Sequence, residues 1–200
     1  MPRLEFWYEF ASNYAFLSAM RIESLAAARG VEIVWRPFLL GPIFRAQGWT
    51  TSPFNLFPAK GRHMRRDMAR IAAARGLPLV WPEVFPAETL TAARLALIGE
   101  SAGWVAPFSK AVYAAEFQEG RDVSRREVLT EILEGLGLDA PALMAEAASD
   151  PVRAALRART EAAIAHDIFG APSFVTPDGE LFWGDDRLEQ ALDWCVAAPP

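Results

Sequence analysis

The fold is decided by the stretch Phe169-Gly170-Ala171-Pro172-Ser173-Phe174, taken together with Ser12 near the start of the chain. Pro172 opens a short strand after a long helical region, a position that favours a cis X–Pro bond. Ser12 stands where a strand over residues 4–10 turns into a helix that begins near Asn13. The pairing of a strand-to-helix turn with a proline loop predicts a reactive site whose turn carries a serine and no cysteine.

Composition sets the class of protein and excludes several functions. The 200 residues are 52% hydrophobic, which is ample for a full core. The net charge of −5 gives no electrostatic support for nucleic-acid binding. The sequence has no apolar run long enough to span a membrane. With two histidines and one cysteine, neither a metal site nor an internal disulfide is expected, and the cysteine count fits a reducing cytoplasm.

The start of the chain predicts a βαβ unit. Residues 4–10 are rich in aromatic side chains and predict a strand, and residues 31–36 predict a second one. Between them, the apolar spacing of residues 13–29 predicts one helix that Gly30 ends. Strands joined in this way run parallel with a right-handed crossover. Residues 37–58 are predicted to form a long loop, and such loops are usually functional.

A block of helices and a β-hairpin complete the pattern. Helices are predicted over residues 61–75, 89–102, 107–119, 125–136, 140–148 and 151–166. Strands at residues 173–176 and 180–183 flank Pro177-Asp178-Gly179, which is a strong hairpin signal. A last helix is predicted over residues 187–196.

The order of these elements predicts the fold class. A βαβ unit, a helical block and a ββα unit together indicate an α/β protein with a thioredoxin-like fold that carries a large all-helical insertion. The thioredoxin-like domain is predicted to comprise residues 1–45 and 168–200, and the inserted helical domain residues 58–167. Residues 46–57 are the predicted connecting loop. The Cys-x-x-Cys motif of thioredoxins is missing, so disulfide exchange is not expected.

Several short motifs carry a resemblance to a known family. They are Phe10-Ala11-Ser12-Asn13-Tyr14, Pro58-Ala59-Lys60-Gly61, Asp67 with Arg70, Phe85-Pro86, Arg94, Phe169-Gly170-Ala171-Pro172, and Phe182-Trp183-Gly184-Asp185-Asp186-Arg187. The chain resembles, essentially end to end, the 2-hydroxychromene-2-carboxylate isomerases. These are glutathione-dependent enzymes related to kappa-class glutathione transferases and, more distantly, to the DsbA thiol oxidoreductases.

The resemblance implies an isomerase of aromatic-compound catabolism, with glutathione as cofactor and a small acidic, aromatic-derived substrate. In the family the glutathione thiolate adds to a conjugated carbon, the former double bond rotates, and elimination returns free glutathione. The family's serine lies beside the glutathione sulfur and matches Ser12. The commonest family turn reads Ser-Pro-Tyr-Ser, whereas this chain has Asn13 in place of the proline.

Ser12 has two interpretations. A serine before a helix is usually an N-cap, whose side chain accepts a hydrogen bond from an orphan backbone N–H. The resemblance implies a catalytic role, in which the hydroxyl donates to the glutathione thiolate at the positive end of the helix. A thiol there has a pKa below its ordinary value of about 8.5.

The resemblance also assigns glutathione-binding residues at the other end of the chain. Ala171, Pro172 and Ser173 present backbone groups to an extended peptide ligand. Asp185 and Asp186 lie at the γ-glutamyl end, where a carboxylate can pair with the ligand's ammonium group. Capping of the last helix is the alternative role for both aspartates.

Lys60 is expected to pair with the glycyl carboxylate of glutathione or with the acid group of the substrate. Weaker candidates for the substrate pocket are Asn13, Asn55, Phe85 and Arg94. For the aromatic side chain, packing is the more usual role.

Two other functions stay open on the sequence. A kappa-like glutathione transferase or peroxidase would use the same turn and proline loop, and a non-catalytic thioredoxin-like binding module would account for the missing cysteines. The basic residues expected in the pocket favour the isomerase, since they suit an anionic substrate. The resemblance also allows a homodimer formed through the helical insertion.

Overall fold

A mixed four-stranded sheet organises the chain, of which the computed structural model describes residues 1–197. The strands are β1 (Arg3–Tyr8), β2 (Glu32–Pro37), β3 (Ser173–Val175) and β4 (Leu181–Trp183). The helices are α1 (Asn13–Ala19), α2 (Ile22–Ala27), α3 (Leu40–Ala46), α4 (Pro53–Leu56), α5 (Pro58–Ala74), α6 (Leu90–Ala102), α7 (Val105–Phe117), α8 (Arg126–Gly135), α9 (Ala140–Ala147), α10 (Asp150–Ala165) and α11 (Leu188–Ala197), with a 3-10 turn at Asp185–Arg187. No helix within the described residues is both long and apolar enough to cross a bilayer.

The strand order confirms the predicted thioredoxin-like fold. The sheet runs β2-β1-β3-β4, with β1 parallel to β2 and antiparallel to β3. β3 and β4 form the predicted antiparallel hairpin. The helices α3 to α10 all fall between β2 and β3 in the chain, so they form one insertion into the thioredoxin-like frame. The last three residues of the predicted segment 168–200 lie outside the described part of the chain.

Both faces of β1, an inner strand of the sheet, are covered by other side chains. On one face the Phe6 ring lies 5.0 Å from Trp35 of β2 and 5.6 Å from Phe174 of β3, measured between ring centroids. On the other face Trp7 packs against Phe38 at 6.0 Å. Adjacent side chains of a strand point to opposite faces, so the aromatic run in β1 contributes to two clusters of buried side chains.

The helical insertion shares the larger of these clusters with the sheet. Phe108 and Val112 of α7 are fully buried in the same cluster as Phe6. A single core therefore spans the sheet and the helical insertion, and the domain boundaries stay a prediction.

Two local predictions are wrong. The helix predicted over residues 13–29 is two helices, because the backbone leaves helical angles at Arg21, with φ −132°. The long loop predicted after β2 contains α3 and α4, and α4 lies inside the predicted connector, residues 46–57. Pro42 and Pro53 stand in the first turns of these helices, where proline has no intrahelical hydrogen bond to lose. A proline-rich composition therefore did not exclude helix.

Candidate active site

Ser12 caps α1 and also joins its first turn to the proline loop. Its Oγ accepts a hydrogen bond from the Ala15 backbone N–H at 3.2 Å and donates one to the Ala171 carbonyl oxygen at 2.8 Å. Ser12 and Ala171 are 159 positions apart in the sequence. The capping interpretation therefore describes Ser12 in this structure, and the same hydroxyl stands in the predicted site.

The proline loop faces this turn as predicted. The Ala171–Pro172 peptide bond is cis. The Pro172 carbonyl oxygen accepts a hydrogen bond from the Gly184 backbone N–H at 3.0 Å, which attaches the loop to the segment after β4. Ser173 is fully buried, and its hydroxyl donates to the Gly170 carbonyl oxygen at 2.9 Å. The Ser173 side chain is thus internal to the loop.

A groove of about 1830 Å³ opens over the turn and the loop. Its lining is drawn from residues 9–14, 39–54, 85–90, 169–172 and 183–186, with Lys60, Asp67, Ile71 and Arg75 of α5. A pocket for one drug-sized molecule measures about 300–1,000 Å³. The groove therefore has room for a tripeptide and a second small molecule together.

Asn13 provides an unused hydrogen-bond donor in this groove. The residue is 1% exposed, and its Nδ2 has no hydrogen-bond partner among residues 1–197. A buried amide without a partner costs about 1–3 kcal/mol, so a ligand that accepts this hydrogen bond recovers that energy. Ser52, at the start of α4, also lines the groove with a buried hydroxyl that has no partner in the described structure.

The two aspartates after β4 have different environments. Asp185 is 4% exposed, and its carboxylate accepts hydrogen bonds from Ser18, from Arg21 and, at 2.6 Å, from Arg75. Asp186 has a side chain that is 75% exposed, and its nearest cation is Arg187 at 3.7 Å. Both line the groove, but only the Asp186 carboxylate is free to pair with a ligand's ammonium group.

The other predicted pocket residues separate into two groups. Lys60 and Phe85 line the groove, and Lys60 Nζ lies over the Phe57 ring, 4.8 Å from its centroid. Asn55 is absent from the groove wall and donates to the Thr51 hydroxyl at 3.2 Å. Arg94 lines a separate cavity of about 120 Å³ between α6, α8 and α9. Each side chain of a helix points to one side of it, and Arg94 lies on a side of α6 that does not line the groove.

Arg45 on α3 is a groove residue that the sequence interpretation missed. It forms no ion pair within the described residues, so it adds a second available cation beside Lys60. Residues 37–58 were interpreted as an irregular loop. Without a helical periodicity, the direction of the Arg45 side chain could not be predicted. The two cations make the groove suitable for an anionic ligand.

Glu9 is a buried acid on the groove wall that was also missed, because it lies in a stretch interpreted only as strand. It is 8% exposed, and its carboxylate accepts a hydrogen bond from the Thr89 hydroxyl. Burial raises the pKa of Glu9 to about 7, although the Thr89 hydroxyl and the Ala11 backbone N–H act in the opposite direction. Glu9 therefore titrates near neutral pH.

Comparison with known proteins identifies the family. The sequence model of the DSBA-like thioredoxin domain matches residues 3–194. The chain belongs to the DSBA-like thioredoxin family. The predicted fold of the DsbA type is thereby confirmed.

Individual relatives of this DSBA-like protein include an isomerase and a transferase. A 2-hydroxychromene-2-carboxylate isomerase of Sphingobium xenophagum is 29% identical over 93% of this chain and 94% of its own length. The human glutathione S-transferase kappa 1 is 24% identical over 94% of this chain and 89% of its own length. The predicted resemblance to these two groups is confirmed.

Solved structures show the same fold. A 2-hydroxychromene-2-carboxylate isomerase superposes with a TM-score of 0.85 at 24% identity, covering 94% of this chain and 91% of that one. The cytosolic disulfide reductase DsbM from Pseudomonas aeruginosa, solved with GSH, superposes with a TM-score of 0.65 at 19% identity, covering 98% and 96%.

The contrast between the two aspartates of the DSBA-like protein gives a stability prediction. Replacing Asp185 by Asn leaves Arg75 without a charged partner and leaves Arg21 with Glu189 alone, so the free energy of unfolding should fall by about 3 kcal/mol. Asp186→Asn is the matched control and should change it by less than about 0.5 kcal/mol, because that side chain is exposed. Urea unfolding of both variants measures the difference. Equal losses would contradict the structural role of Asp185.

The raised pKa of Glu9 predicts a pH-dependent stability. The folded protein binds the Glu9 proton more tightly than the unfolded chain, so this contribution is complete below about pH 4.3 and is lost as the pH rises to about 7. The loss amounts to about 3 kcal/mol. Glu9→Gln should therefore gain stability relative to the wild type as the pH increases from 4 to 8, in urea unfolding. A stability difference that does not vary with pH would show that Glu9 titrates normally.

Proposed function

We propose that the protein is a glutathione-dependent cis–trans isomerase of the 2-hydroxychromene-2-carboxylate isomerase type, active in the catabolism of aromatic compounds. The observation that carries the proposal is the unpartnered Asn13 amide beside Ser12, in a groove bordered by the cis proline loop. This arrangement suits an anion at the turn. The name of the isomerase relative supports this reaction, and the name of the kappa-class glutathione transferase supports glutathione as the cofactor.

Several residues of the groove suit polar groups of glutathione. The Asp186 carboxylate suits the γ-glutamyl ammonium group, and Lys60 suits the glycyl carboxylate. Ala171 and Pro172 offer main-chain contacts to an extended peptide, and Ser52 offers a hydroxyl that has no partner within residues 1–197. Asp185 serves this arrangement indirectly, by holding the turn that presents Asp186.

The chain itself holds no sulfur in the groove. Its single cysteine, Cys195, is 3% exposed in α11, and burial raises the pKa of its thiol. When bound, glutathione supplies the thiolate nucleophile. The protein's part is then to hold the anionic sulfur with the amide of Asn13 and with the hydroxyl of Ser12, whose single proton turns from the Ala171 carbonyl oxygen to the sulfur. Arg45 orients an acidic substrate.

The location proposed for this activity is the cytoplasm, since a single cysteine suits a reducing compartment. We also propose a homodimer as the working state, which light scattering of the purified protein would test.

An assay with two substrates separates the isomerase from a kappa-like transferase. The relatives named as transferases make conjugation the second candidate. With glutathione present, the purified protein should turn over hydroxychromene carboxylate, because Arg45 and Lys60 suit its acid group. Turnover of an electrophilic aryl halide alone would assign the transferase instead. If calorimetry detects no binding of glutathione at millimolar concentration, the chain is a binding module without this chemistry.

Substitutions at the turn test how the anion is held. Asn13→Ala and Ser12→Ala should each raise the pKa of the bound glutathione thiol, since a hydrogen bond to a charged group is worth about 1.5–3 kcal/mol. Both should lower turnover more than they weaken binding. The pKa is read from the ultraviolet absorbance of the thiolate during a pH titration of the complex.

Asn55→Ala is the matched control for Asn13→Ala, because it makes the same chemical change outside the groove. It should leave the thiol pKa and the rate unchanged. If Ser12→Ala also leaves both unchanged, Ser12 acts only as the N-cap of α1.

A further inference from the structure

We propose that Glu9 is the acid–base group of the groove, a catalytic residue that passes one proton to and from the carbonyl oxygen of the bound substrate. This inference rests on the proposed isomerase function and adds a residue to it. Ser12 and Asn13 can hold an anion, but neither side chain delivers a proton at neutral pH. An isomerisation through a conjugated carbonyl needs a donor, since negative charge develops on the carbonyl oxygen.

Glu9 is fixed in place beside the reactive turn. Its main-chain carbonyl oxygen accepts hydrogen bonds from the Ser12 backbone N–H at 2.9 Å and from the Tyr113 hydroxyl at 3.0 Å. Glu9 is a residue of the groove wall, and its carboxylate accepts a hydrogen bond from Thr89, which precedes α6. A proton donor works best when packing and hydrogen bonds set its orientation. The backbone contact with Ser12 places the acid on the same turn as the anion site.

Burial and the neighbouring charge of Glu88 favour the neutral form of Glu9, and the other acids that face it have raised pKa values of their own. Glu88 adds negative charge from the segment that carries Thr89. Glu116 of α7 is fully buried, neither of its carboxylate oxygens has a partner in the described structure, and its pKa is raised well above the ordinary value by burial. Tyr113 of α7 also faces Glu9, and its pKa is raised by burial. No ion pair among residues 1–197 includes Glu9.

These surroundings give Glu9 the properties of a general acid that works at neutral pH. A group with a pKa of about 7 is partly protonated there and is able both to give a proton and to take it back. Glu116 has a similar environment, but it does not line the groove. Of the two buried acids, Glu9 is therefore the one that a substrate can reach.

The proposed step returns its proton to Glu9. As an electron pair enters the conjugated system, the O–H bond of neutral Glu9 breaks and a new O–H bond forms on the substrate carbonyl oxygen, which leaves an enol and the Glu9 carboxylate. After the carbon–carbon bond has rotated, the carboxylate takes the same proton back. The carbonyl re-forms, and the electron pair leaves with the nucleophile. No proton, electron or co-reactant is consumed.

The test compares Glu9→Gln with Glu116→Gln. Glutamine at position 9 keeps an oxygen for the Thr89 hydroxyl but removes the acid, so kcat should fall by about 10²- to 10⁴-fold while glutathione affinity stays within about twofold. The wild-type rate should decline as the pH rises above about 7, and the residual rate of Glu9→Gln should lack this decline. Glu116→Gln removes a buried acid that lies off the groove, so it should keep the wild-type rate.

A second measurement needs no turnover. Carbon-13 NMR of the protein labelled at its glutamate carboxyls, with Glu9→Gln to assign the signal, should give a midpoint near 7 for Glu9. A midpoint near the ordinary value of about 4.3 would overturn the proposal. An unimpaired rate for Glu9→Gln in an active protein would overturn the role of Glu9 alone. A wild type without isomerase turnover would overturn the proposed function, and the protonation step with it.

Discussion

The groove depends on one buried carboxylate, that of Asp185. It accepts hydrogen bonds from Ser18 of α1, from Arg21 between α1 and α2, and from Arg75 at the end of α5. An isolated charge at this depth would cost several kcal/mol, so the carboxylate and its guanidinium partners must stay together. The contact joins the last turn of the thioredoxin-like frame to its first helices and to the helical insertion. Without it, three of the segments that line the groove would have no common anchor.

The groove holds ligand-binding groups but no reactive atom of the kind that thioredoxins use. Ser12 occupies the reactive turn, and the single cysteine is buried in α11. The turn instead has hydrogen-bond donors that suit an anion. The cations Arg45 of α3 and Lys60 of α5 lie on the groove wall. Such a site favours chemistry in which the nucleophile arrives with a cofactor. Glu9, the buried acid beside the turn, is the group that we propose moves a proton in this site.

Much of the fold was readable from the sequence because it depends on local signals. The hairpin around Pro177-Asp178-Gly179 and six helices of the insertion lie close to their predicted places, since turn residues and apolar periodicity are properties of a short window. The prediction of a single helix over residues 13–29 was wrong: the chain breaks at Arg21, whose side chain binds the distant carboxylates of Asp185 and Glu189, and local spacing does not show such contacts. The helices after β2 were missed because prolines in their first turns resemble loop composition.

The sequence by itself determined the βαβ and ββα frame, the serine in place of a thiol, and the proline at the facing loop. The tertiary structure alone decided which candidates meet. It brought Ser12 to Ala171, buried the Asn13 amide and Glu9 on the groove wall, and directed Asn55 and Arg94 elsewhere. It also assigned Asp185 to holding the fold and left Asp186 free. The physical reason is that burial, pKa and hydrogen-bond satisfaction depend on neighbours that only the folded chain supplies.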